Sequence, residues 1–489
     1  MTTFGRAISL RRPLARLPVE QAVTAGVCVG ASVIAGAMVA SPSLLRLGFA
    51  GCVAALVVGL GLKSPRPLLY AIIGWLATLG LIRRLLSIGF TAGGPADPLL
   101  LVYPLALIVL VLAAADAGAF RRRTSLGTAV LVLVVLVLLG ALNPLQGSLL
   151  AGLSALVFFV QLLAFWVGRG LGDERTMRRT LLVVALASVP AALYGMYQIS
   201  TGFPPWDQQW IDASGYTALQ VGSAMRPFSS FSSASEYATF LSVAIVVWLA
   251  LGRRFVRPLA LAATALLVVS VVYQSSRGSV VTLLAALAIL LAARRRVHPI
   301  LAIAGAAVLL ALLPVAVQRF APSTFGTDAK SQLIAHQVEG LSNPFDPEAS
   351  TVGAHISLIF GGIKEGFRTP IGNGISSVTI AGSKFDGRLA GGTEADPSNA
   401  AVALGLPGLL AYFVVLGLGL TKAYTLAVRT REPLALLALG VLVVTFPQWL
   451  NGGQYAVALI PWLLLGWVDR RAQELDTAEV GASGAAERA

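Results

Sequence analysis

Two arginines stand in serine-rich stretches between long apolar runs: Arg277 in "QSSRGS" and Arg226 in "MRPFSSFSSASEY". A guanidinium presents a planar fork of donors that matches a phosphate group. Around Arg277, Ser275, Ser276 and Ser279 add hydroxyls, and Gly278 permits close backbone approach. A helix starting there points unpaired N–H groups at the same place. This set makes a seat for a phosphate or pyrophosphate, the plainer alternative being a loop arginine beside a serine cap. Arg226 has a similar setting, ahead of a helix whose first turn carries Glu236. Upstream, "TGFPPWDQQWID" combines Trp206 and Trp210 with Asp207. Aromatic faces stack on sugar rings and carboxylates bond their hydroxyls, while the competing reading is an interfacial aromatic belt. His355 opens "AHISLIFGGIKEGFRTPIGNG", and an imidazole exchanges protons near neutrality. His298 follows a basic cluster, and His336 has no distinctive setting. The chain has no HExxH, Asp-x-Asp or cysteine cluster, so no protein-held metal is expected and no cofactor is implied.

These residues must be carried by membrane helices. The 489 residues are 56% hydrophobic and only 12% charged, with a mean hydropathy of +0.81, which is more apolar surface than a soluble core buries. The expected fold is an all-α polytopic membrane protein of about 14 transmembrane helices. Apolar segments fall near 20–40, 47–62, 67–82, 98–114, 126–142, 148–168, 180–198, 235–252, 258–274, 278–293, 299–317, 400–420, 433–449 and 454–468. The stretch 20–40 follows a basic N-terminus but exceeds a signal-peptide core, so it reads as an uncleaved first helix. Cys28 and Cys52 both fall in these segments as small apolar fillers.

The net charge of +14 is scattered in short clusters, with no basic face, so nucleic acid is not an expected partner. Nearly every cluster lies in an alternate loop, which places both tails, 1–19 and 469–489, in the cytoplasm. Arg83 and Arg84 break the pattern. They are expected to snorkel to lipid headgroups, the alternative being contact with an anionic lipid. The organisation is thus a membrane domain over 20–317 with an outer loop at 200–234, a large extracytoplasmic loop over 318–399, and further membrane helices over 400–468. The large loop includes a short amphipathic helix, whose Ile356, Ile359, Phe360, Ile363 and Phe367 share one face. Gly372 and Gly374 after it supply a turn with exposed amides.

The ordered set "LYGMYQISTGFPPWDQQW", "RPFSSFSSASEYATFL", "SSRGSVVTLLAALAILLAARRR", "AHISLIFGGIKEGFRTPIGNG" and "TEADPSNAAVALGLPGLLAYF" resembles the O-antigen ligase and polymerase family of bacterial membrane glycosyltransferases. It spans roughly 180–420, and each motif is loose. The resemblance implies metal-independent transfer of a glycan from an undecaprenyl-diphosphate-linked donor on the outer leaflet of the cytoplasmic (inner) membrane. It implies arginines on the donor diphosphate, here Arg226 and Arg277 with Ser276 beside them. Two positions depart from the family: His355 stands where an arginine often opens the loop helix, and Ser398-Asn399 where a histidine-asparagine pair is often found. The reaction would be an inverting transfer, with His355, Glu394 or Asp396 as the base. Partners implied are the lipid-linked donor, a glycan or lipid acceptor and membrane lipids, with a polysaccharide export complex as a further candidate. A transporter or flippase for polysaccharide or lipid-linked glycan is the rival reading. Against it stands the lack of ionisable residues near the middle of any expected span.

Overall fold

A computed structural model describes residues 42–86, 97–121, 123–214, 220–251, 257–322, 324–385, 395–450 and 455–486. The expected span at 20–40 and the N-terminal tail lie outside them. The first half comprises α1 (Pro42–Lys63), α2 (Pro65–Leu85), α3 (Val102–Asp116), α4 (Ser125–Ala141), α5 (Leu149–Ala155), α6 (Ala164–Leu171), α7 (Glu174–Thr201) and α8 (Pro205–Ser214). A two-stranded hairpin, β1 (Gln220–Val221) and β2 (Ala224–Met225), leads to α9 (Ala234–Leu251), α10 (Arg257–Gln274), α11 (Arg277–Arg294) and α12 (Pro299–Phe320). The segment 318–399 carries α13 (Ala329–Ser342), α14 (Val352–Arg368) and α15 (Ile380–Phe385), and the chain ends with α16 (Asp396–Thr430), α17 (Pro433–Thr445) and α18 (Tyr455–Ala486).

Among the described residues, seven helices are long and apolar enough to cross a membrane, and a bent pair makes an eighth. Helix α4, at 17 residues, counts with the shorter apolar helices, as do α9, α10 and α17. A 17-residue helix rises about 26 Å, close to the roughly 30 Å of a hydrocarbon core. The expected span at 148–168 is the bent pair, turned by 50°. Buried Gln161 stabilises the break by donating to Phe158 O at 2.7 Å, supplying a partner for a carbonyl in this irregular stretch.

A second break lies in α16, where Gly405 takes φ +66° ahead of Pro407. The segment after α14 repairs it: Asn373 N donates to Val402 O at 2.8 Å, Gly374 N to Ala403 O at 3.0 Å, and Leu406 N to Pro370 O at 3.0 Å. Gly372 and Gly374, both at positive φ, let the two backbones approach. The turn expected to expose its amides therefore spends those of Asn373 and Gly374 on a neighbouring helix. Helix α14 lies on α16 through Gly366, whose missing Cβ leaves room for Ala401. Its Ile356, Phe360 and Phe367 point outward and are exposed.

Cross-links between loops sort the helix termini into two ends. Asn143 donates to Gly372 O at 2.8 Å, Ala456 N to Glu236 Oε1 at 2.9 Å, and Arg84 pairs with Asp207 at 2.7 Å at one end. At the other, Arg66 pairs with Asp173 at 2.8 Å, Lys422 and Thr124 meet buried Asp469 at 2.6 and 2.8 Å, and Arg471 pairs with Glu432 at 2.6 Å. The basic clusters among the described residues gather at this second end. Arg83 and Arg84 lie at the first end but do not snorkel: Arg83 pairs with Asp97 at 2.6 Å and Arg84 is fully buried.

In a Cys28→Ser, Cys52→Ser background, cysteines placed at the exposed positions Ser223 and Glu348 should react with an impermeant maleimide from one side of the membrane. Those placed at His298 and Arg431 should react from the other. Labelling of Ser223→Cys and His298→Cys from the same side would contradict the two-ended arrangement.

Candidate functional site

The outer surface of the first end is organised from the inside. The last turn of helix α2 carries Arg84, whose Nε pairs with Asp207 Oδ1 of α8 at 2.7 Å; both side chains are fully buried. The remaining nitrogens donate to the carbonyls of Ser229 and Phe231, and the guanidinium stacks 4.7 Å from the Phe228 ring centroid. Asp207 Oδ2 accepts from Tyr194 at 2.6 Å and from Gln198 at 2.7 Å. Gln198 Oε1 in turn accepts from the backbone of Phe228 and Ser229 at 3.1 and 2.8 Å. Ser229 and Ser230 donate to Ala191 O and Ala77 O, each at 2.6 Å. Gln274, at the end of α10, donates to Pro227 O at 2.9 Å and Ala234 O at 2.6 Å. The serine-rich segment 226–233 is therefore a fixed structural loop, and Ser229 and Ser230 are not available to a ligand.

Arg226 opens this loop directly after β2. The hairpin docks on α13, with Val221 and Ala224 packed on Leu333 and Ser223 donating to Gln332 Oε1 at 2.9 Å. Leu333, His336, Gln337 and Gly340 are spaced i, i+3, i+4 and i+7, so they share one helix face. That face brings His336 between two arginines. Arg226 Nη2 lies 3.4 Å from His336 Nε2. Arg277 Nη2 lies 3.0 Å from His336 Nε2, 3.1 Å from Nδ1, and donates to His336 O at 2.9 Å. Gly340 makes the space for Arg277, because a Cβ there would collide with the guanidinium. Burial first, then Arg277 and Arg226, push the His336 pKa down to about 4, so the ring is neutral at pH 7.

Arg277 is also the first residue of α11. Ser276, its N-cap, leaves the first-turn amides without a side-chain partner, and its Oγ lies 2.9 Å from Ser279 Oγ. A Cβ on Gly278 would meet nothing within 4 Å, so this helix start faces open space. Among the described residues, no carboxylate lies within ion-pair distance of Arg277. Arg277 Nε, Ser275 Oγ and both amide atoms of Gln337 are buried without a protein hydrogen-bond partner. A cationic, under-satisfied cluster of this kind suits an anionic ligand with several oxygens.

The other expected site residues fall elsewhere. Asp207 is corrected from a sugar ligand to the buried partner of Arg84. Trp206 donates to Tyr194 Oη at 2.9 Å and Trp210 to Ser232 O at 3.3 Å, both half-buried, with Arg83 5.2 Å above the Trp210 ring. Asp396, expected as one of three candidate bases, is instead fully buried, accepting from Leu450 N at 2.7 Å and from Tyr412 at 3.2 Å. His355 is exposed in the first turn of α14, 3.1 Å from Thr351 Oγ1. Glu394 lies outside the described residues. His336 is the residue that sequence reading passed over. Its signal is the shared face with Leu333, Gln337 and Gly340, which acquires meaning only once Arg277 is seen against it. The described residues hold no group of three or more metal-ligating side chains.

No family model matches the chain, and no curated protein matches it.

Removing one partner of the buried pair, as Arg84→Met or Asp207→Leu, leaves an uncompensated charge and should cost about 3–5 kcal/mol. Thermal unfolding in detergent should show a large drop for each single variant and partial recovery in the double variant. Equal, additive losses would mean the two side chains act independently.

Proposed function

We propose that the protein transfers a glycan from an undecaprenyl-diphosphate-linked donor to a glycan or lipid acceptor at the outer face of a bacterial cytoplasmic membrane. The observation that carries this reading is the convergence of Arg226 and Arg277 on one neutral imidazole beside the open N-terminus of α11. Two forked guanidiniums and free helix amides complement the oxygens of a diphosphate. The ordered motif resemblance points to the same donor class. Exposed Ile356, Phe360 and Phe367 on α14, with the largely exposed apolar α11 and α12, supply surfaces against which a polyprenyl chain can lie.

In the proposed reaction the acceptor hydroxyl oxygen bonds to the anomeric carbon as the bond from that carbon to the diphosphate oxygen breaks. The electron pair leaves on the diphosphate, where Arg226 and Arg277 stabilise the developing charge. The acceptor proton passes to a base. His355, exposed and 3.1 Å from Thr351 Oγ1, is one candidate from the sequence and Glu394 the other. Asp396 instead holds the start of α16 against the segment after α17.

The test is transfer assayed with purified protein and lipid-linked oligosaccharides, products being resolved by gel. Arg226→Ala and Arg277→Ala should each lower turnover by about two to three orders of magnitude, as loss of a transition-state donor does elsewhere. Arg277→Lys should recover only part, lacking the fork. Wild-type turnover in both alanine variants would remove the diphosphate role. His355→Ala should lower turnover by about two to four orders of magnitude with donor binding retained if His355 is the base; unchanged turnover would transfer that role to Glu394.

A further inference from the structure

His336 is held where a histidine has least to gain. A neutral imidazole carries one lone pair, and two guanidiniums lie 3.0–3.4 Å from its Nε2. Its other ring nitrogen is 3.1 Å from the same Arg277 nitrogen, which is also a donor. Among the described residues, neither ring nitrogen has a carboxylate or carbonyl to donate to. The helix that carries the ring is itself held, with Leu333 packed beneath the hairpin and Arg277 resting on Gly340 and on His336 O. An anion entering between the arginines would meet this contact from three sides and give the ring an acceptor.

We propose that His336 is a third ligand for the bound phosphate group and takes up a proton when that group binds between Arg226 and Arg277. The proposal rests on the phosphate-site reading above and adds proton uptake to it. The charged groups acting on the ring are Arg277 from α11 and Arg226 from the end of β2. Helix α10 brings Tyr273 to this end, α12 brings Arg319, and α13 itself carries Lys330 and exposed Glu339, which acts on Arg277. The hairpin strands contribute no titratable group.

The sign follows from the charges. In the free protein both arginines oppose a positive ring, and with burial they hold its pKa near 4. A bound anion offsets that repulsion and raises it. Between the two values the complex holds a proton that the free protein lacks, so affinity rises as pH falls, by at most about tenfold per pH unit for one proton.

The experiment measures binding of a short-chain prenyl-diphosphate sugar, and separately of sulfate, to the full-length protein in detergent between pH 5.5 and 7.5. A diphosphate diester and sulfate both keep constant charge across that range, so any slope belongs to the protein. Wild-type affinity should rise at least threefold from pH 7.5 to 5.5. Calorimetry in buffers of different ionisation enthalpy should show proton uptake. His336→Gln and His336→Asn, which keep hydrogen-bonding capacity without a titratable ring, should bind more weakly at pH 5.5 and show no slope. A flat wild-type profile, or a slope retained in both variants, overturns the proposal. If binding is flat in the wild type yet lost in Arg226→Ala and Arg277→Ala, the phosphate site stands and only the histidine role fails. If the wild type binds neither probe at any pH, the phosphate-site reading falls together with the proposal.

Discussion

The buried ion pair between Arg84 and Asp207 is the constraint on which the site-bearing end depends. Taking a guanidinium and a carboxylate out of water costs several kcal/mol per ion, and the loss is offset only when geometry is good and the remaining polar atoms are bonded. Here Arg84 reaches two loop carbonyls and an aromatic face, while Asp207 receives a tyrosine hydroxyl and a glutamine amide. The pair therefore specifies position. It ties α2, α7 and α8 to the segment 226–233, and that segment delivers Arg226. Arg84, in this pair, and Arg83, paired with Asp97, are the two basic residues that depart from the alternation of basic loops.

A second constraint comes from the apolar surroundings of the helices, where backbone groups must find partners within the protein. Breaking a helix there exposes carbonyls and amides, so each break needs a nearby donor or acceptor. Gln161 supplies a donor within the bent pair, and the backbone at 370–374 supplies donors and an acceptor for the break in α16. The glycines of that segment are accordingly packing residues. They anchor α14 and leave its apolar side facing out.

Much of the fold was legible in the sequence, because apolar length is a one-dimensional signal. Among the described residues, seven of the expected spans fall in helices long and apolar enough to cross a membrane, four fall in shorter apolar helices and 148–168 is the bent pair, a split that hydropathy, blind to direction, does not register. The arginines Arg226 and Arg277 were legible as candidates because charge is rare in such a chain. Their convergence was not: 51 residues separate them, and they meet through His336, which follows Arg277 by 59. Asp207 and Asp396 were misread for a related reason. A carboxylate in a polar-looking stretch suggests a ligand contact, but only the fold reveals that Arg84 or the Leu450 amide already holds it. Burial is decided by residues far away in sequence, so no local pattern separates a structural acid from a chemical one.

The site is assembled from three separate segments, each fixed to different helices. Arg226 rides on the loop fastened by Arg84, Gln198 and Gln274; Arg277 begins α11; His336 sits on α13 beneath the hairpin. Like charges repel, so two guanidiniums brought to one imidazole must be held by forces supplied elsewhere. The fastening of the loop and the docking of the hairpin supply them. This arrangement keeps the cationic groups converged without a ligand, so an anion bound as proposed would need little reorganisation of the protein. It also makes the geometry of the arginines depend on the packing of α2, α8 and α13, of which only α13 places side chains, His336 and Gln337, in the cluster itself. Sequence change in those helices would thus alter the site without touching it.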